Sequence, residues 1–279
     1  MSAADIPLAS YAEKWSAAHP ELGMALRYED EARRPVVLAL AALGHELAQA
    51  AYGIRDAEPA IAKLHWWSEE MSRATRGEAR HPLARALAAD ARFTAVPLAD
   101  WHATIAGAFA QRDPEPAADL EALLAGHARL FRPLARIEAR FSGVPDDEAE
   151  AIARAAAIGR ALRDTAAMHD ALRDGRLPVP LDRLARHRLA RGDLARGSPE
   201  QSALLREWLA DLAAALARLR LVAPLHAASA SADRWRAESA ARDARPLDRL
   251  RANLPRLPMR AVWSAWSAAR RQRREASSC

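Results

Sequence analysis

Two aspartates four residues apart, Asp170 and Asp174, are the first residues in this chain whose type and spacing suggest chemistry. On a helix that spacing stacks both carboxylates on one face, and hard oxygen ligands of this kind are what Mg2+ requires. Asp164 lies one short stretch upstream, and the three acids are the candidate catalytic residues. The plainer reading of the pair is a solvated helix end, since Asp174 abuts Gly175. A second constellation is His45, Gln49 and Tyr52, which form one stripe of a helix, with Glu46 beside it. The stripe reads equally as the polar lining of a cavity or as polar groups satisfied between helices, because buried polar groups need partners in both cases. Glu46 is the only acid between Pro35 and Arg55 and is read as a partner for an arginine rather than a remnant ligand.

Lys63 and Trp67 share a face of the next segment, and Trp66 and Glu70 take the neighbouring one. A lysine in a chain whose only other lysine is Lys14 suits an anionic headgroup or a carboxylate. The alternative is an exposed charge beside a core tryptophan. Trp66 and Trp67 are both expected in the core, and His65 stands alone with no metal role. The chain has no convincing zinc spacing, no Gly-x-Ser-x-Gly, no P-loop and no dinucleotide fingerprint. Its one cysteine, Cys279, excludes a disulfide framework and a cysteine metal site.

The elements that must position these residues read as helices almost throughout. Alanine, leucine, arginine and glutamate dominate, and no alternating strand pattern persists. Proline and glycine punctuate the chain at helix-length intervals, which suits an antiparallel bundle. Helices are predicted at 4–18, 35–54, 58–76, 82–92, 97–111, 117–141, 146–173, 180–190, 199–221, 232–252 and 258–274. Pro82 suits a first helical turn, Ser198-Pro199-Glu200-Gln201 suits an N-cap, and Gly143 and Gly175 suit helix C-termini. No linker is long or polar enough to divide the chain, so one domain over 1–279 is expected, with a basic tail from about 270. No run reaches the roughly 18 uncharged apolar residues of a membrane span; Pro35–Ile54 comes nearest, interrupted by His45, Glu46 and Gln49. The N-terminus lacks a secretory pattern, and a cytoplasmic location is expected. The net charge is +5 and the pI about 10.1. The arginines are spread among acids, and arginine with alanine excess reflects coding bias, so no nucleic-acid partner is expected.

Three stretches carry more than composition: Ala39–Gln49 (ALAALGHELAQ), Lys63–Met71 (KLHWWSEEM) followed by His81-Pro82-Leu83-Ala84, and Gly175–Leu184 (GRLPVPLDRL). Their order and spacing resemble the squalene/phytoene synthase family. The resemblance implies an all-α bundle of isoprenoid-synthase type with a central cavity, in which two Asp-x-x-x-Asp motifs hold Mg2+ and join two prenyl diphosphates. Aligned on that pattern, Ala48 and Tyr52 stand at the first aspartate pair. At the second, Met168 stands at the position paired with Asp164 if Arg163-Asp164 sets the register, or Ala167 and Ala171 stand at the pair if Gly175-Arg176 does. Asp170 and Asp174 are out of register with both. The Glu-Leu-Ala-Gln version of the first helix also resembles a branch without the aspartate pairs, which includes a mitochondrial complex I assembly factor. The resemblance thus implies a non-catalytic protein that binds an isoprenoid, a lipid or a protein partner. The alternative is an active Mg2+-dependent prenyltransferase in isoprenoid or carotenoid biosynthesis. His45, Glu46, Gln49, Tyr52, Lys63, Trp67, Arg163 and Arg176 are the candidate cavity-lining and binding residues, with no metal site assigned and Mg2+ expected only for the enzyme.

Met259, Val262, Trp263 and Trp266 form an apolar face near the C-terminus, with Arg260, Arg270, Arg271, Arg273 and Arg274 around it. Two expectations follow for 258–274: an amphipathic helix on an anionic membrane surface, or a terminal helix packed on the bundle.

Overall fold

The structure is a computed structural model and describes residues 5–142 and 146–276. The described residues are helical, with no strand among them, as the composition dictates. In chain order the helices are α1 Asp5–Ala18, α2 Pro20–Ala25, α3 Arg34–Ala48, α4 Ala57–Thr75, α5 Pro82–Ala88, α6 Leu98–Phe109 and α7 Leu120–Ser142. They continue with α8 Asp146–Ala166, α9 Met168–Arg173, α10 Leu181–Arg186, α11 Pro199–Ala217, α12 Pro224–Ala241, α13 Pro246–Asn253 and α14 Met259–Ala276. The residues gather into two compact units. Unit 1 holds the chain up to Arg112 together with Arg129–Ala153; unit 2 holds Asp113–Ala128 and the chain from Arg154. One boundary falls in the loop between α6 and α7, at Arg112, and the other two fall inside α7 and α8, where no linker composition exists to mark them.

In unit 1 the core is built from Trp15, Leu40, Leu43, Leu47, Leu64, Trp67, Met71, Leu83, Leu87, Trp101 and Ile137. Together α3 and the π-helical turn after it form a helix long and apolar enough to cross a membrane by length and composition, yet its apolar residues are core residues of this unit. The π turn spans Gln49–Gly53, with the Ile54 amide donating to the Gln49 carbonyl at 3.0 Å. Arg112 closes this helix end by donating to the carbonyls of Ala50, Ile54 and Arg55 at 3.3, 2.5 and 3.1 Å, which satisfies acceptors a helix terminus leaves open. A second constraint is Pro133 inside α7. Its missing N–H leaves the Arg129 carbonyl without its usual helical donor, and α6 crosses there on Gly107. A Cβ on Gly107 would lie 2.0 Å from that carbonyl oxygen.

In unit 2 the core includes Leu162, Met168, Val179, Leu204, Trp208, Leu209, Leu212, Leu225 and Leu250. The Trp208 indole donates to the Thr165 hydroxyl at 3.0 Å. Ser198 caps α11 by accepting from the Gln201 amide at 3.1 Å, and Gly175 ends its segment at φ +83°, a conformation that favours glycine. Gly143 lies outside the described residues.

Two predicted helices are divided. The segment read as 146–173 breaks at Ala167, where Arg251 takes the Ala166 carbonyl at 2.7 Å and removes it from the helical ladder. The segment read as 232–252 begins earlier, at Pro224, and stops at Ala241. The Asp243 carboxylate then accepts from the Arg245 amide at 2.9 Å, and Pro246 opens a new helix. An unpredicted short helix, α2, starts on Pro20.

Candidate functional site

The candidate residues fall into one cluster in each unit. In unit 1, α3 and α4 bring Glu46 against Lys63, carboxylate to ammonium at 2.6 Å. The partner of Glu46 is therefore this lysine rather than an arginine. The pair is half-buried, with side chains 17% and 29% exposed. His45 sits beside it with its ring edge-on to His19 at 5.4 Å. Burial holds the His45 imidazole below its usual range, and Lys63 pushes the same way against Glu46. Tyr52 is buried in the π turn, whereas Gln49, one turn earlier, is exposed.

Trp67 is fully buried, but Trp66 is 40% exposed, so only one of the two tryptophans belongs to the core. Both rings, with that of Tyr11, surround His81, which the sequence marks only as the residue before Pro82. Centroid distances are 4.7 Å to Tyr11, 5.4 Å to Trp66 and 4.7 Å to Trp67. His81 Nδ1 accepts from the Leu83 amide at 3.2 Å as the N-cap of α5, which leaves Nε2–H to donate to the Tyr11 hydroxyl at 2.8 Å. Burial holds this imidazole below its usual range, against the pull of Glu70 and Glu46.

Glu70 is fully buried and accepts from the Arg80 and His81 amides at 2.6 and 2.7 Å and from the Arg73 guanidinium at 3.0 Å. Burial alone would raise its carboxyl, but these donors more than offset it and hold it below the usual range. Glu70 therefore anchors the loop that presents His81.

In unit 2 the cluster forms around two buried acids. Asp164 accepts a two-pronged contact from Arg160, one turn back on α8, at 3.1 and 2.7 Å, and a third from Arg176 at 3.1 Å. Arg176 also reaches Asp174 at 3.6 Å. The His127 imidazole lies 3.8 Å from Asp164. Burial pushes it down to about 4; Asp164 opposes this, and Arg160 and Arg176 add to it.

Arg163 turns away from Asp164 to Asp233 on α12, at 3.2 Å. Asp233 is also held by Arg236, one turn on, at 2.7 Å, and Arg236 donates onward to the Leu254 carbonyl at 2.8 Å. Burial would raise Asp233, but Arg163 and Arg236 bring it below its usual range. Gly159 makes room for this pairing, since a Cβ there would lie 2.6 Å from the Asp233 carboxylate. Asp170 stands apart on the exposed end of α9 and pairs with Arg173 at 3.3 Å between two largely solvated side chains.

The candidate acids therefore do not converge. Asp164 and Asp174 share Arg176, and Asp170 pairs with Arg173. His81, Tyr11, Glu70, His127, Arg160, Asp233 and Arg236 were not singled out as site residues in the sequence. Two signals were available: Arg160 and Asp164 stand at i, i+4, and Asp233 and Arg236 at i, i+3, spacings that place opposite charges on one helix face.

The Mg2+ implied by the resemblance does not fit these residues. Alanine and tyrosine occupy 48 and 52, and Met168 and Ala171 are buried apolar side chains. Asp164, the one acid standing at a second-motif position, is already bonded to two guanidiniums. Among the described residues no three His, Asp, Glu or Cys side chains are grouped to share an ion.

Comparison with known proteins gives the same architecture. The squalene/phytoene synthase family profile matches residues 20–267. A solved dehydrosqualene synthase in complex with ligand is similar over 90% of this chain and 96% of that one, with TM-score 0.63 and 12% identity. The squalene synthase HpnC from Alicyclobacillus acidocaldarius is similar over 97% and 95%, with TM-score 0.56 and 17% identity. At such identities the likeness is one of fold. No curated protein matches the chain.

Proposed function

The chain belongs to the squalene/phytoene synthase family, and from that premise we propose that it is a non-catalytic member that binds an isoprenoid or related lipid. The observation that carries the reading is the state of Asp164. Ionising an allylic diphosphate places negative charge on the leaving group, and Mg2+ held by carboxylates is the usual stabiliser. Here Asp164, the one acid standing at a motif position, accepts three guanidinium hydrogen bonds, and the remaining motif positions carry Ala, Tyr or Met. A carboxylate committed in this way is a structural counterion. The polar groups in unit 1 support binding rather than chemistry: Glu46 and Lys63 neutralise one another, and burial within an aromatic cage holds His81 below its usual range.

The test is calorimetric titration with farnesyl diphosphate, run once with Mg2+ and once with a chelator. Equal affinity in both conditions is expected. Affinity that requires Mg2+ would contradict the reading, because it would place a metal between protein and diphosphate.

A further inference from the structure

Of the six large apolar side chains exposed among the described residues, three lie together: Leu257, Met259 and Trp263, at 40%, 79% and 66%. They lead into α14, whose two faces are built from opposite materials. The inner face is a stripe of Ala261, Ala265, Ala268 and Ala269, all at most 5% exposed. It packs on α12, which is itself alanine-rich and buries Ala228, Ala232, Ala237 and Ala240. The helix is therefore docked on its unit by small side chains, and its large ones are on the other side. Met259, Trp263, Trp266, Arg270 and Arg274 fall at i, i+4, i+7, i+11 and i+15, a single outward stripe about 22 Å long at 1.5 Å per residue. Packing in the unit explains the alanines and leaves the tryptophans unexplained.

The outward stripe is ordered along its length. Trp263 and Trp266 lie 4.7 Å apart between centroids with their planes tilted by 38°, and the Arg270 guanidinium lies 4.8 Å over the Trp266 ring. Arg273 and Arg274 follow, both exposed. No acid occurs from Met259 to Arg274. Arg260 and Arg271 lie off the stripe: Arg260 pairs with Glu238 at 2.8 Å, and Arg271 reaches the Leu221 carbonyl at 3.5 Å.

We infer that this face of α14 seats on an anionic lipid surface. Indole rings favour the boundary between headgroup and acyl chain, where one side is apolar and the other wet. Guanidiniums beside them meet lipid phosphates, and each basic residue near an anionic surface strengthens attachment by a few-fold. A second copy of the chain fits the face less well, since a symmetric pair would bring six arginines into one interface with no acid on either stripe. The inference stands independently of what the fold binds elsewhere.

The test is flotation of the full chain with phosphatidylcholine vesicles, with and without phosphatidylglycerol. Binding is expected only with the anionic lipid, and it should weaken as salt is raised. The double variant Met259→Ser/Trp263→Ser and the triple variant Arg270→Ala/Arg273→Ala/Arg274→Ala should each reduce partitioning by on the order of tenfold or more. Their melting should match that of the unaltered chain, because the alanine face is untouched. In the unaltered chain, lipid carrying brominated acyl tails should quench tryptophan emission, a readout that needs no variant. Equal binding to neutral vesicles, variants that bind as well as the unaltered chain, or no quenching would overturn the inference. So would a dimer in sedimentation that the double variant dissolves.

Discussion

Each unit pairs acids with bases, and one pair from each, Asp233 with Arg236 and Glu46 with Lys63, sits at a different depth. In unit 2, Asp233 and Arg236 are almost wholly removed from water, with side chains 3% and 1% exposed. Each has further partners: Arg163 for the acid, and the Leu254 carbonyl for the base. In unit 1, Glu46 and Lys63 form a shorter but half-exposed pair. A charge in the first setting cannot be left alone without a large penalty, because little solvent can replace its partner. A charge in the second can exchange its partner for water or for a ligand at little cost. The difference separates a deeply buried lattice from a pair closer to solvent. It also places Asp164, the one acid standing at a metal-motif position, on the deeply buried side.

The comparison breaks most easily at Arg236. Arg236→Met leaves Asp233 buried with only Arg163, and it should cost about 3–5 kcal/mol in urea denaturation. A loss under about 1 kcal/mol would mean that the lattice is far less rigid than its burial suggests.

His127 gives the next largest effect. Its folded pKa, about 4, lies below the ordinary histidine value of about 6.5. The unfolded chain therefore binds a proton that the folded chain refuses. Stability is full above about pH 6.5 and declines as pH falls towards 4, by on the order of 3 kcal/mol. His127→Gln should flatten that part of the stability–pH curve, as measured by denaturation at a series of pH values. An unchanged slope would assign the decline to other groups.

In unit 1 the tightest constraint is steric rather than electrostatic. Gly107→Ala drives a methyl into the Arg129 carbonyl and should cost about 1–3 kcal/mol by thermal melting. No loss would mean that α6 and α7 can separate there. The smallest effect belongs to the half-exposed pair, where Lys63→Met should change stability by about 1 kcal/mol or less. A loss as large as that at Arg236 would erase the distinction between the two clusters.

The helical class and most helix starts were legible in the sequence, because local chemistry decides them. Ser198 and Pro199 announce α11 by the hydrogen bonds they can and cannot make. Breaks caused by distant partners were not legible. Ala167 interrupts a helix-forming run because Arg251, far along the chain, takes a carbonyl. The same holds for the clusters: Arg163 beside Asp164 reads as a neighbouring ion pair, yet each side chain leaves for a different partner. The amphipathic pattern of 258–274 was visible, but which face packs inward depends on the alanines of α12.

The central proposal is that Asp164, the carboxylate standing at a synthase-motif position, is committed to arginines and serves no metal in catalysis. Its most direct test is incubation of the purified chain with farnesyl or geranylgeranyl diphosphate and Mg2+, followed by measurement of released pyrophosphate and extracted product. The account predicts intact substrate and no pyrophosphate above the protein-free control. Pyrophosphate release with a condensed isoprenoid product would contradict it.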